Sequence, residues 1–568
     1  TFRITGAAAH WVKADTVLWT PPAEVTKVEL LYSPDASINA GQQGITGTYE
    51  TIALSSGTNP KPAFNNQLAD LKAWSLPAAA VQKAKDVARG QLVMVGRSAD
   101  GRAISGTTVQ TAGALDDLYA NAAYGKTLGV TYTSGAPSLA VWAPTALKIP
   151  GVSVNVYDAS GTKIESKPMT LDDASGVWSV TGTTDWDRKF YTISLNVFSY
   201  AANAIVANEV TDPYSVSLAT DGVRSEFVNL NDADLKPAGW DNLAMPALAA
   251  PEDAVMYELH VRDFSIADST VPAADRGKFT AFDIPGTAGR QHLQQLAAAG
   301  LTHVHILPAF DFATVDENVA NQVNLDDNVE KLCAKVSAAA SLCATDSGKT
   351  IRKAMQDAVA ANQLDRPPQI AEWMRGVDGF NWGYDPLHFG APEGSYSTDP
   401  NGVARVREFR RMVKGLNDIG LRTTFDVVYN HTNASGQAGK SVLDKLVPGY
   451  YMRRNASTGN VTSDSCCSDT AAEFKMFEKL MIDTGVRWVR DYKVSSFRFD
   501  IMSMHPLAVM TRFRDAVQAI DPTVYIYGEG WNCCGVTDDV RFTAARQANL
   551  GGTGLGSFRD RIRDRVRG

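Results

Sequence analysis

From about residue 253 onward, short apolar runs alternate with longer amphipathic ones, and no other feature restricts the chain as much. The runs at 254–261, 301–308, 421–430, 494–500 and 523–529 carry the β-branched and aromatic residues of strands. Ahead of the third, the stretch 403–420 sets Val403, Val406, Phe409, Val413 and Leu416 at helical spacing and stops at Gly420. The stretches 471–492 and 507–520 repeat this before the fourth and fifth runs. Repeated β-then-α units predict a parallel sheet or barrel. The interval between residues 308 and 421 far exceeds one such unit, which predicts a large insertion there.

Upstream the pattern is different. Runs at 27–32, 138–144, 152–158 and 190–198 are rich in Val, Tyr, Phe and Leu and are separated by Gly, Asp, Ser and Pro. These spacings predict two all-β sandwich modules, 1–120 and 121–245, with a linker and a helical turn at 114–129. The Ala- and Pro-containing stretch 242–254 marks the boundary with the α/β part, taken as 246–568. At 568 residues the chain is too long for one hydrophobic core, so several domains are expected.

Apolar content of 44% and charged content of 20% are those of a globular protein, and no apolar run approaches the roughly 18 residues that span a bilayer. A net charge of −8 disfavours nucleic acid or an anionic membrane as partner and suits a neutral substrate, bound by a monomer. The six cysteines fall in three clusters, 333/343, 466/467 and 533/534. Zinc-type C-x₂₋₄-C spacing is missing, so no metal site is assigned. Cys333 and Cys343 can close a short loop in an oxidising compartment, while the two adjacent pairs leave the connectivity open. The chain begins at Thr1 with no charged-then-apolar leader, which is read as a processed secreted protein or an excerpt.

Three of the inferred strands end in polar residues: "FDVVYNH" (425–431), "FRFD" (497–500) and "YGEGW" (527–531). In a barrel, functional residues collect at strand carboxyl ends. Asp500 and Glu529 lie about one βα unit apart, on neighbouring strands at the same end. Two carboxylates across a scissile bond are what glycoside hydrolysis needs, one as nucleophile and one as acid. Alternation puts Arg498 and Asp500 on one strand face and Phe497 and Phe499 on the other. Arg498 is then expected to hold Asp500 ionised, and Tyr527 and Trp531 to wall in Glu529 and keep it protonated. Taken singly, these residues have plainer readings, as an ion pair and a loop carboxylate. Three strand ends in order are what shift the balance. Trp142 continues an alternating strand and reads as core rather than as a sugar platform.

Those ordered motifs resemble regions one to three of the α-amylase superfamily, family thirteen of the glycoside hydrolases. "FNWGYDP" (380–386) resembles the narrower signature of type I pullulanases and limit dextrinases, with Phe380 in place of a Tyr. "YELHVRDFS" (257–265) resembles their first barrel strand, "SLAVWAP" (138–144) a family-48 starch-binding module, and "AHWVKADTVLWTPP" (9–22) the pullulanase N-terminal β-domain. The resemblance implies N-terminal β modules followed by a (β/α)8 TIM barrel. It implies a retaining hydrolase of α-1,6 branch links in pullulan, amylopectin and limit dextrins, secreted, cell-surface or periplasmic in a bacterial-type cell. Asp500 would be the nucleophile, Glu529 the general acid/base, and Arg498 the partner of Asp500. Asp426 and His431 would hold the sugar or its pocket. Tyr384 and Trp382 would contact the same sugar, Trp531 the acceptor side, and His505 is a further binding candidate with an equal reading as a loop histidine. No cofactor is required. A structural Ca²⁺ is compatible with the resemblance but unplaced, and "NLDDN" (324–328) is an acidic loop that lacks the Gly-centred cation loop.

One departure matters. A complete member needs a third carboxylate, usually preceded by His, and the stretch 541–568 contains no His-Asp pair. The barrel is therefore expected to be C-terminally truncated, with five or six strands, and the fragment to be inactive. The alternatives are an isoamylase- or amylase-like α-glucan hydrolase, and a non-catalytic starch-binding fragment.

Overall fold

The computed structural model describes residues 2–42 and 44–568. Six strands form one parallel sheet: Met256–Leu259, His303–Ile306, Arg422–Val427, Ser496–Phe499, Tyr525–Gly528 and the two-residue Gly556–Ser557. Their order in space is their order in sequence, and every neighbouring pair is parallel. The first five lie inside the five predicted runs. Among the described residues the sheet has two free edges and does not close into a ring.

The connecting helices Ala404–Asn417, Lys475–Tyr492 and Leu507–Gln518 form where the spacing placed them. On the first of these, Val406, Phe409, Val413 and Leu416 are fully buried. Phe409 meets Phe425 of the sheet at 5.5 Å and Trp488 of the next helix at 5.2 Å between ring centroids. Each such buried side chain contributes roughly 1.5–3 kcal/mol of transfer free energy. The central strands are buried on both faces, so any charged residue on them must find a partner.

In the N-terminal region eight strands between residues 9 and 110 follow one hydrogen-bonded path, and Asn39–Gly41 pairs separately with Gly44–Thr46. The next region holds two sheets, of four and five strands. Trp142 is buried there and donates its indole N–H to Ser175 O at 2.9 Å, a core position. One continuous hydrophobic core runs through both β regions and the parallel sheet. The eight-stranded sheet also touches loops of the α/β part, with Asn66 N donating to Arg541 O at 2.7 Å and the His10 ring 2.7 Å from Ala456 O.

The insertion after the second parallel strand contains four helices, Val329–Lys335, Ala340–Asp346, Ile351–Ala360 and Arg366–Met374. They pack on their own core of Val329, Leu332, Ile351 and Ile370, and Cys333 is bonded to Cys343 across them. The acidic loop at their start is already engaged. Asp326 pairs with Arg352 at 2.7 Å and Asp327 with Lys331 at 3.0 Å. The remaining cysteines bond to their immediate neighbours, Cys466 to Cys467 and Cys533 to Cys534.

Candidate active site

Parallel register aligns Asp426, Arg498 and Tyr527 on three adjacent strands, so their side chains share one face of the sheet. Phe497 and Phe499 point the other way and meet Phe513 of the helix behind at 5.3 and 5.0 Å. The expected division of "FRFD" into a polar and an aromatic face is what the fold contains. Beyond the strand ends the ladder continues, with Asp500 N donating to Val427 O at 3.0 Å and Glu529 N to Phe499 O at 3.1 Å. Gly528 makes this possible, because a Cβ there would lie 2.5 Å from the Phe499 carbonyl oxygen.

Arg498 is the hub. Its Nη1 lies 3.0 Å from Asp426 Oδ1 and 3.2 Å from Asp500 Oδ1, and its Nη2 lies 3.1 Å from Glu529 Oε1. One guanidinium fork thus binds three carboxylates and brings Asp500 and Glu529 to either side of itself. Tyr384 and Phe558 face the guanidinium at 5.6 and 5.8 Å. Asp500 Oδ2 also accepts from Asn430 Nδ2 at 2.8 Å. Glu529 Oε2 accepts from the backbone N–H of Ile501 at 3.0 Å. Ile501 has φ 33° and ψ 58°, a left-handed conformation strained for a β-branched residue, at a cost of about 1–3 kcal/mol. That turn aims the Ile501 amide at Glu529 immediately after Asp500.

The ionisation of Asp500 differs from the expectation. Burial dominates and pushes its carboxyl up to about 6, while Arg498 and Asn430 pull it down and the charges of Asp426 and Glu529 push it up. One positive charge among three carboxylates does not offset desolvation.

Asp500, Glu529, Arg498, Tyr384 and Trp382 all line one cleft of about 840 Å³. Trp382 is 62% exposed at its mouth. Asp426 and His431 do not reach the cleft; both are buried behind it. Asp426 accepts from the Tyr384 hydroxyl at 2.6 Å, and the His431 Nε2 lies 2.8 Å from the Tyr384 carbonyl. Both therefore position Tyr384. Burial lowers the pKa of His431 and keeps the ring neutral.

Three expected residues lie elsewhere. Trp531 turns into a neighbouring groove, where Arg563 sits 5.8 Å over its ring. Tyr527 is buried, its hydroxyl 3.1 Å from His305 Nδ1, so the predicted aromatic wall around Glu529 is not formed. His505 is 1% exposed with neither ring nitrogen hydrogen-bonded, lies edge-on to Phe499 at 6.0 Å, and is held down to about 3 by burial. It is a core histidine, because the helical turn Met502–Met504 carries it under the strand ends. Phe380 is 38% exposed and leans on His260 at 5.1 Å, at the edge of the site.

Sequence reasoning missed two residues. His305 lies 3.2 Å from Asp426 Oδ2, and the alternation of "HVHI" (303–306) was its signal. Asn430 stands inside the quoted motif "FDVVYNH", next to His431, and its contact with Asp500 needs the turn at the strand end to exist.

The chain is thus a modular protein, two β regions followed by an α/β sheet that gathers three carboxylates on one arginine. Residues 6–117 match the pullulanase N2 domain model and residues 127–215 the carbohydrate-binding module 48 (isoamylase N-terminal domain) model. Over its full length the chain is 41% identical to a pullulanase of Klebsiella pneumoniae, covering 52% of that protein. It is 37% identical over 99% of its length to the chloroplastic pullulanase 1 of Arabidopsis thaliana, covering 56% of it. The crystal structure of Klebsiella pneumoniae pullulanase complexed with maltotriose superposes with a TM-score of 0.94 at 40% identity, covering the whole chain and 54% of that structure. Over its whole length the chain is similar to pullulanases. It spans about half the length of the curated relatives it matches.

Proposed function

We propose that this chain carries the nucleophile and the general acid/base of a retaining, starch-debranching glycoside hydrolase that cleaves α-1,6 links in pullulan, amylopectin and limit dextrins. The observation that carries this reading is the single guanidinium of Arg498 bound to both Asp500 and Glu529 at the wall of an open cleft. A retaining mechanism needs its two carboxyl groups roughly 5–5.5 Å apart, and one fork touching both is compatible with that closeness. Asp500 attacks the anomeric carbon to give a glucosyl-enzyme ester. Glu529 protonates the leaving oxygen and then deprotonates the water that releases the sugar. Tyr384 and Trp382 offer aromatic faces to the sugar, and Asp426 and His431 hold Tyr384 in place. Relatives named pullulanase, one of them complexed with maltotriose, support an α-glucan substrate over the isoamylase-like and non-catalytic alternatives.

In this reading the six parallel strands are part of a (β/α)8 barrel. The eight-stranded sheet is the pullulanase N-terminal module and the two-sheet region the starch-binding module. The Cys333–Cys343 bridge supports a secreted or cell-surface location. The test is release of maltotriose from pullulan, compared with glycogen and amylose as substrates. Debranching of pullulan that vanishes in Asp500→Asn and Glu529→Gln supports the reading. Cleavage unaffected by either substitution, or preference for amylose, overturns it.

A further inference from the structure

Beside the cleft stands a group of side chains that the proposed hydrolysis does not use. The strand His431–Thr432 pairs antiparallel with Ser468–Asp469, and this short ladder carries the Cys466–Cys467 bridge up to the His431 ring. Cys466 Sγ lies 3.7 Å from His431 Nε2, and the ligand atoms of His431, Cys466 and Cys467 all fall within 4.8 Å of one another. In a tetrahedral site, metal–nitrogen bonds of about 2.0–2.1 Å and metal–sulfur bonds of about 2.3 Å put N and S roughly 3.6 Å apart. The spacing already present is that of two ligands on one ion. Cys466 is exposed and Cys467 half-buried, so the pair is open to solvent on one side.

The hydrogen bonds around His431 supply a second, independent observation. Asn430 donates its Nδ2 to both Asp500 O and Asp500 Oδ2 at 2.8 Å, which fixes the orientation of its amide. Its Oδ1 therefore faces His431 Nδ1, at 2.5 Å, while His431 Nε2 faces the Tyr384 carbonyl at 2.8 Å. Two acceptors flank a neutral ring that has one proton to give. With that proton on Nδ1, Nε2 is unprotonated, 2.8 Å from the Tyr384 carbonyl and 3.7 Å from Cys466 Sγ, two groups that give it no proton. A metal-bound histidine commonly donates its other ring N–H to an oxygen, and in this tautomer Asn430 Oδ1 is that acceptor for Nδ1.

We propose that Cys466, Cys467 and His431 form a reduction-gated site for one thiophilic divalent cation at the edge of the carboxylate cleft. In the bridged state neither sulfur is a thiolate, and the site is closed to metal. A dithiol reductant gives two electrons and two protons to the Cys466–Cys467 bond and leaves as its own disulfide. The two thiols then bind the cation as thiolates and release their protons to solvent, with His431 Nε2 as the third ligand and a water in the fourth position. The cation takes Nε2 away from the Tyr384 carbonyl, which couples occupancy to the residue lining the cleft. The site stands on its own residues and does not depend on the glycosidase reading.

The test is titration of the intact chain with Cd²⁺ after treatment with dithiothreitol and its anaerobic removal, read by thiolate-to-metal charge-transfer absorbance. The expected result is uptake of one Cd²⁺ with His431-dependent affinity, at least tenfold weaker in His431→Ala, and none by the bridged chain. A footprint on the unaltered sequence guards against variants that fail to fold. Bound Cd²⁺ is expected to shield Cys466 and Cys467 from iodoacetamide while Cys333, Cys343, Cys533 and Cys534 react. Cd²⁺ uptake that loses no equivalent in the double variant Cys466→Ser, Cys467→Ser, or shielding confined to the other cysteines, overturns the proposal. So does a reduced chain that takes up no Cd²⁺.

Discussion

At the scale of single residues, the site is an electrostatic compromise around Arg498. Three carboxylates share one guanidinium, and burial leaves Asp500 pushed up to about 6. A group raised above its unfolded value of 3.8 favours folding at low pH and loses that contribution as pH rises through about 6. Asp500→Asn removes the buried charge, leaves Arg498 its other two carboxylates, and is expected to abolish hydrolysis. It is also expected to raise stability at pH 7 by roughly 1–3 kcal/mol, measured by urea denaturation. Since the nucleophile must be ionised, kcat/KM is expected to fall about tenfold per pH unit below about 6. Arg498→Ala acts in the opposite sense. It leaves buried carboxylates facing one another and is expected to cost about 3–5 kcal/mol at neutral pH, a loss that shrinks on acidification as they protonate. The roles of Asp500 and Arg498 as neighbours on one strand face were legible from alternation alone. The protonation of Asp500 was not, because it is set by burial and by Asp426 on another strand, and neither is a local property.

At the scale of elements, five of the six parallel strands and the three helices after residue 403 follow from periodicity, and two of the misjudged residues lie just past strand ends. His505 and Trp531 follow Asp500 and Glu529 by only a few positions, yet a helical turn takes one into the core and a loop takes the other into a different groove. The direction of a turn depends on conformations such as the left-handed Ile501, which no pattern of apolar residues announces. The eight-stranded N-terminal path was likewise hidden, since strand spacing does not say whether two sheets share a hydrogen-bonded edge. Where the strands meet, Gly528 lets the ends carrying Asp500 and Glu529 approach. Gly528→Ala drives a methyl against the Phe499 carbonyl and is expected to cost about 1–3 kcal/mol. Thermal melts should show that loss, together with a fall in kcat larger than any change in KM, as the two carboxylates are pushed apart.

At the scale of the molecule, one core joins the β regions to the parallel sheet, and buried ionisable groups on both sides of that junction govern its response to pH. Burial raises Asp116, Glu226 and Glu317 to about 7 and lowers His10 and His303 to about 4. The raised carboxyls contribute stability that is present below their unfolded values and lost as pH rises through about 7. The lowered histidines contribute stability that is present above 6.5 and lost as pH falls toward about 4. From pH 8 to 6.5 these carboxyls take up protons in the folded chain ahead of the histidines of the unfolded one, so the melting temperature is expected to rise on acidification across that interval, less steeply toward 6.5, and below it the histidines oppose the gain. A melting temperature that falls from pH 8 to 6.5 would contradict this. The central claim concerns chemistry, and the most direct measurement is covalent trapping. The chain is incubated with a fluorinated α-glucosyl fluoride, whose leaving group needs little acid assistance, and its peptides are mapped by mass. The expected result is one glucosyl ester on Asp500, in the peptide that holds Arg498, retained in Glu529→Gln and lost in Asp500→Asn. An ester on Glu529 or any other carboxylate would contradict the assignment, as would cleavage of pullulan with no ester formed.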